Sequence, residues 1–363
     1  MKKTCLHHLH TSQGALMAEF GGFDMPISYE GIEAEHRAVR GNVGVFDVSH
    51  MGEVVVTGDQ ATMFVNYIFS GDVSRLDNNK ILYGMMLNEN GGTVDDLLVY
   101  KRGENNFFLV INAGNIDKDV AWIRKNAEGY DVEIDDLCDL LGEIAIQGPE
   151  SETVIEDVLG IGCKELTFYT FKESTLDGAH ILISRTGYTG EDGFEIYAEH
   201  DVIRKLWDEL MESGRCKPCG LGCRDTLRFE VGLPLYGDEL SEEITPVEAG
   251  LSMFVKTDKP EFIGKDVIVK QKEEGTARKV VGLEIHDRAI ARHGYEVLNK
   301  EGDKQIGTIT TGYRGISVDK SLAMALIDSE YAKQGTEVSV KIRKKTFPAT
   351  VTAKKFYKKS YKK

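Results

Sequence analysis

Two hydrophobic patterns divide this chain near residue 278, and together they exclude a fold built from one kind of layer. Before that point, segments with helical spacing alternate with segments of strand-like alternation. After it, nearly every apolar run is short, alternates with period two and stops at a glycine, which predicts a β-barrel or sandwich. No Ser/Pro-rich stretch separates the two parts, and 38 glycines against 7 prolines favour tight turns over stiff linkers. A chain of 363 residues exceeds what one core serves, so two or three domains with short joins are expected, one of them able to be discontinuous. The spacing predicts helices near 32–39, 60–68, 116–126, 150–159, 201–213 and 223–231. It also predicts a strand over 142–147 and a hairpin over 180–199.

Charge narrows the function. Lys and Arg number 44 and Asp and Glu 59, a net −15 that repels phosphate backbones and argues against nucleic acid as a partner. No run approaches the ~18 apolar residues of a membrane span. Met1-Lys2-Lys3 imitates the start of a signal peptide, but the next residues, Cys5 to His10, include three histidines and no apolar region. A cytoplasmic, unprocessed protein is expected. Ten of the basic residues crowd into 341–363 without one acid, leaving 34 against 59 elsewhere. They read as a solvated edge and tail, or as a docking site for an anionic partner. Cys216, Cys219 and Cys223 lack a fourth ligand at zinc-finger spacing, so small buried thiols at a turn are expected and no metal. His7, His8 and His10 read as a solvated N-terminal segment.

Three constellations could carry chemistry. In Asn88-Glu-Asn-Gly-Gly-Thr-Val-Asp95-Asp96-Leu-Leu-Val-Tyr100 a tight turn leads into a strand. Period two places Asp95 with Thr93, Leu97 and Val99, and Asp96 with Val94, Leu98 and Tyr100. Both faces are apolar, so at least one carboxyl is poorly solvated and suited to proton transfer. A turn-proximal Asp bonded to backbone N–H groups is the plainer reading. In Arg185-Thr-Gly-Tyr188-Thr-Gly-Glu-Asp-Gly-Phe-Glu195 the glycines do not match a dinucleotide fingerprint and instead shape a hairpin tip. Glu195 shares a face with Tyr197, an acceptor beside an aromatic ring. In Gly220-Leu-Gly-Cys-Arg224-Asp-Thr-Leu-Arg228, two arginines stand one helical turn apart, which favours an anion for one of them or ion pairs within the chain.

Phe46-Asp-Val-Ser-His-Met51-Gly52, Asn88–Tyr100, Arg185–Glu195, Gly220–Tyr236 and Ile306–Leu326 occur in one order from residue 4 onward. Together they resemble the aminomethyltransferase (T-protein) family of the glycine cleavage system, over essentially the whole chain. The resemblance implies an α+β, three-domain clover leaf around a central folate cavity, with a β-barrel-like C-terminal domain. The expected domains are 1–50 with 137–243, 51–136 with 244–277, and 278–363. It implies transfer of a one-carbon unit from the aminomethyl-dihydrolipoyl arm of H-protein to tetrahydrofolate, with ammonia released. Functional links to the glycine decarboxylase and dihydrolipoyl dehydrogenase components follow, without metal, nicotinamide or flavin. It assigns catalysis to Asp96 and folate binding to Glu195 and Arg224, with Met51, Tyr83, Tyr100, Asn112, Tyr169, Tyr188 and Tyr361 as further contacts. Two alternatives share the scaffold. A folate-binding iron–sulfur maturation protein carries K-G-C-Y-x-G-Q-E, where this chain reads Lys259-Pro-Glu-Phe-Ile-Gly-Lys-Asp266. A folate-dependent demethylase of a small methylated substrate is separated less cleanly.

Overall fold

The computed structural model describes residues 1–358; the Tyr361 position lies outside them. The first of two large sheets runs Phe171–Leu176, Ala179–Ser184, Gly193–Glu199, Leu141–Gln147, Gly44–Asp47, Lys217–Pro218 in spatial order. The second runs Lys80–Leu87, Thr93–Gly103, Asn106–Ile111, Gly52–Thr57, Glu133–Asp136. Six later strands, from Arg278–Ile285 to Lys345–Thr352, close into a barrel. The fold is thus mixed α and β with a C-terminal barrel. Among the described residues, no helix is long and apolar enough to cross a membrane.

Each sheet covers one face with helices. On the first, Val45, Ile144, Ile146, Phe194 and Ile196 pack against helix His200–Glu212, whose Ile203, Leu206, Trp207 and Leu210 follow the i, i+3, i+4, i+7 stripe. On the second, Val54, Val56, Val99 and Leu109 pack against helices Ala61–Ile68 and Ile116–Asn126. The remaining faces meet. Val55, Tyr100, Phe108 and Val110 close on Phe171, Leu182 and Tyr197, and the Tyr100 and Tyr197 hydroxyls are 2.9 Å apart across that join. Burial on both sides is why the run after Asn88 looks apolar at both parities. The barrel repeats the device: Ala323, Ala325 and Ile327 point inward, while Leu322 and Met324 pack outward with Phe229 and Met85.

Three expectations change. Met86 pairs with Asp95 and Leu87 with Thr93, so Val94 sits in a β-bulge. The extra residue re-aims the strand, and Val94 joins Leu97 and Val99 in the core instead of sharing the Asp96 face. His10 is not part of a solvated segment. It is fully buried, with Nε2 2.8 Å from Asp47 and Nδ1 2.8 Å from the Tyr29 hydroxyl, and it pins the N-terminal helix to the first sheet. Lys354 is no free tail charge either, because its ammonium donates to the Ala249 carbonyl and burial lowers its pKa to about 8.

Candidate active site

Asp96 faces Met85 across the strand pair, and Tyr83 lies diagonally from it, within reach of a long side chain. The Tyr83 hydroxyl donates to Asp96 Oδ2 at 2.8 Å, and Asn112 Nδ2 donates to Oδ1 at 3.0 Å. Burial first, then the negative charge of Asp95, raises the Asp96 pKa to about 7. A carboxyl so placed can exchange a proton near neutrality. Asp95, unlike the half-buried Asp96, is fully buried, and it accepts from Asn112 N and Nδ2, both at 2.9 Å, and from Asn115 Nδ2 at 2.7 Å. The two aspartates therefore share one amide. The expectation that Asp95 stands apart from the Asp96 site fails, because Asn112 reaches around the strand to both.

Tyr169 has φ +64, a conformation in which a bulky side chain is strained. Its backbone is held there from both sides: its N–H donates to the Arg185 carbonyl and its carbonyl accepts from the Ile81 N–H, each at 3.0 Å. Such strain concentrates at binding sites. The ring stacks on Phe168 at 4.4 Å, and Tyr169 and Tyr188 both lie within electrostatic reach of Tyr83.

On the hairpin strand Gly193–Glu199, Glu195 is buried and accepts from Thr186 Oγ1 at 2.6 Å. Burial raises its pKa. On helix Leu221–Glu230, the Arg224 guanidinium lies 4.4 Å above the Tyr188 ring, a cation–π geometry. The Tyr188 hydroxyl donates to the Pro234 carbonyl and feels the charges of both Asp96 and Arg224. Arg228, one turn on, is fully buried and held by Asp225 at 2.6 Å and Glu239 at 2.8 Å. The intrachain acids expected of this pair thus belong to Arg228, leaving Arg224 toward the site. Met51 packs both on the Tyr100 cluster and on the Phe46–Leu227 cluster. The described residues singled out from the sequence therefore gather around the region where the two large sheets and helix Leu221–Glu230 come together.

Sequence reasoning passed over Glu53, Glu143 and His50, which are buried beside this region with side-chain atoms that lack hydrogen-bond partners among the described residues. A lone acid in an otherwise apolar strand, as in Gly52–Thr57 and Leu141–Gln147, was the available signal. Two open clefts, of about 740 and 570 Å³, lie elsewhere, one beside Tyr67 and Trp122 and the other beside Glu248 and Lys272. Glu35, Cys219 and Cys223 place ligand-type atoms within 4.8 Å of one another. Yet the Glu35 carboxylate already accepts the backbone N–H groups of Tyr29, Gly31 and Gly220, which explains its burial as turn chemistry.

Comparison with known proteins agrees over the full length. Residues 6–259 match the GCVT N-terminal domain, and residues 278–358 match the glycine cleavage T-protein C-terminal barrel domain. An aminomethyltransferase of Alkaliphilus oremlandii is 50% identical, covering 100% of this chain and 99% of the relative. One from Thermoanaerobacter sp. is 49% identical with the same coverage. The crystal structure of glycine cleavage system aminomethyltransferase T from Bartonella henselae superposes with a TM-score of 0.95 at 34% identity, covering 100% of this chain and 99% of that one. With the fold, the barrel and full-length relatives all in agreement, the chain belongs to the glycine cleavage T-protein family, the aminomethyltransferases.

Proposed function

We propose that this enzyme moves the methylene unit of aminomethyl-dihydrolipoyl H-protein onto tetrahydrofolate, in the cytoplasm, in concert with the decarboxylase and dehydrogenase components of glycine cleavage. The carrying observation is the Asp96 carboxyl, fixed by Tyr83 and Asn112 and tuned to about 7. The donor set suits a flat heterocycle edged with N–H groups: Glu195 as acceptor, Arg224 as cation, and the Tyr188 and Tyr169 rings nearby. Met51, Tyr100 and Asn112 complete the proposed folate contacts.

In this reading, Glu195 accepts the N–H groups of the pterin edge, and Arg224 holds an acceptor atom on the same ring. Asp96 orients the attacking amine and takes its proton as the new carbon–nitrogen bond forms. The methylene carbon bonds to two folate nitrogens as it gives up its bonds to the ammonia nitrogen and the lipoyl sulfur, and the two N–H protons lost by the folate leave on ammonia and the dihydrolipoyl thiol. Glu195 is buried and Asp96 and Arg224 are half-buried, so each electrostatic contact is stronger than it would be in open water.

Reconstitution tests the proposal: aminomethylated H-protein and tetrahydrofolate are supplied, and ammonia and methylene-tetrahydrofolate are measured. Turnover of both in equal amounts is expected. No turnover with H-protein, combined with demethylation of a free methylated amine, would replace it with the demethylase reading.

A further inference from the structure

Behind Glu195 lies a row of hydroxyls that the transfer chemistry does not use. Thr186 Oγ1 donates to Glu195 Oε2 at 2.6 Å, and Ser184 Oγ lies 2.5 Å from Thr186 Oγ1. The Tyr100 hydroxyl lies 3.2 Å from Ser184 Oγ and 2.9 Å from the Tyr197 hydroxyl. All four side chains are buried. The sheet register explains the row, since Ser184 pairs with Glu195, and Tyr197 pairs with Glu143 on the neighbouring strand. Paired residues share a face at close range. Tyr197 therefore bears on the buried Glu143 carboxyl, whose Oε2 has no partner among the described residues.

Each hydroxyl owns one proton, and that fixes the direction of the row. If Glu195 is ionised, Thr186 gives its proton to Glu195, Ser184 to Thr186, Tyr100 to Ser184 and Tyr197 to Tyr100. Tyr197 then turns only lone pairs toward Glu143. An ionised Glu143 would meet those lone pairs unsatisfied, whereas a protonated Glu143 donates to them. Reversing every donor gives the mirror case, with Glu143 ionised and Glu195 protonated. We infer that Glu143 is a positioning residue that stores the proton Glu195 must give up to accept a ligand's N–H groups, the four hydroxyls coupling the two carboxyls so that one is ionised at a time.

The exchange is balanced. An O–H bond breaks at Glu195, one forms at Glu143, and each hydroxyl between them passes one proton on and receives another. The charges around Glu143 are consistent with it being the neutral member. Glu195 and Glu53 face it with negative charge from the neighbouring strand and the second sheet, and Arg224 offsets them from its helix. Burial is the largest influence, and it raises the Glu143 pKa well above the ordinary value. Asp136 bears on Glu53 from the adjoining strand, and the buried His50 is kept uncharged by burial and by Arg224.

The inference rests on the folate reading only for its purpose, so the test uses the ligand-free enzyme. Infrared difference spectra of the full chain report protonated carboxyl groups directly. Glu143→Gln should remove one protonated-carboxyl band. Glu195→Gln should make that band titrate away at lower pH than in wild type, because it removes the Glu195 charge that favours a neutral Glu143 and leaves the row free to turn toward Glu143. Adding Tyr197→Phe to Glu195→Gln cuts the row and should raise that pH again. Circular dichroism confirms that each variant folds, and Glu143→Gln and Glu195→Gln report independently should one fail. A band unchanged in Glu143→Gln, or titrating in Glu195→Gln as it does in wild type, overturns the inference. Tetrahydrofolate titration of the wild type separately tests the folate reading, so that reading can fail while the coupling stands.

Discussion

Replacing Asp96 with Asn separates chemistry from stability, with opposite signs expected for the two. Asparagine fits the existing contacts: its oxygen accepts from Asn112, and its amide donates to Tyr83, whose hydroxyl turns to accept. The variant should fold and bind folate within about tenfold of wild type, yet it cannot take a proton. General-base assistance is worth about 10²–10⁴-fold, so the transfer rate should fall by a factor in that range. Stability should move the other way. Folding raises the Asp96 pKa from 3.8 to about 7. A carboxyl raised on folding contributes stability below its unfolded value and loses it as pH climbs through the folded value. At about 1.36 kcal/mol per pH unit, the full rise corresponds to about 4 kcal/mol. Part of it belongs to the coupling with Asp95, so about 2 kcal/mol is the working expectation. Asp96→Asn should thus resist denaturant better than wild type at pH 8, with the advantage shrinking by pH 5. Single-turnover ammonia release and denaturant midpoints at both pH values measure the two effects. A stability difference that ignores pH would refute the raised carboxyl, and near-wild-type turnover would refute the base.

Asp95→Asn should lower the pH of the acidic limb of the rate profile, because the charge that helps raise Asp96 is removed; an unmoved limb would show that the shared Asn112 does not couple them. In a thermal scan, wild type should gain about 2.7 kcal/mol from tetrahydrofolate at a hundredfold excess over its dissociation constant. Arg224→Ala should lose most of that gain while folding normally. Arg228→Ala should instead destabilise by about 3–5 kcal/mol, since it leaves Glu239 buried and unpaired. Neutralising the exposed Lys355 and Lys358 should raise the apparent Michaelis constant for H-protein at low salt and matter little at high salt, where exposed charges are screened. Lys354 is spared because its buried ammonium secures the Ala249 carbonyl. A salt dependence identical to wild type would leave the basic segment a solvated edge.

The sequence alone determined the local elements and the family. Helix Ile116–Asn126 lies where its 3.6-residue spacing predicts it, and the hairpin built on Ala179–Ser184 and Gly193–Glu199 begins one residue before the predicted span and ends with it. The closed barrel resolves the choice between barrel and sandwich. Periodicity succeeds here because it reports which side of its own element a residue occupies, a property set by neighbours a few positions away. What lies opposite that side is decided elsewhere in the chain. Tyr100 meets Tyr197 from 97 positions away, and His36 bonds Thr226 from 190. Only the tertiary fold could therefore bury both faces of the Asp96 strand, flip Val94 through a bulge, or route one Asn112 amide to two carboxyls. The same holds for His10 and Lys354, polar groups whose burial depends on acceptors that no local pattern reveals. Proton affinities follow desolvation and distant charges, so the tuning of Asp96 and the pairing of Glu143 with Glu195 arise only where the two sheets close on each other.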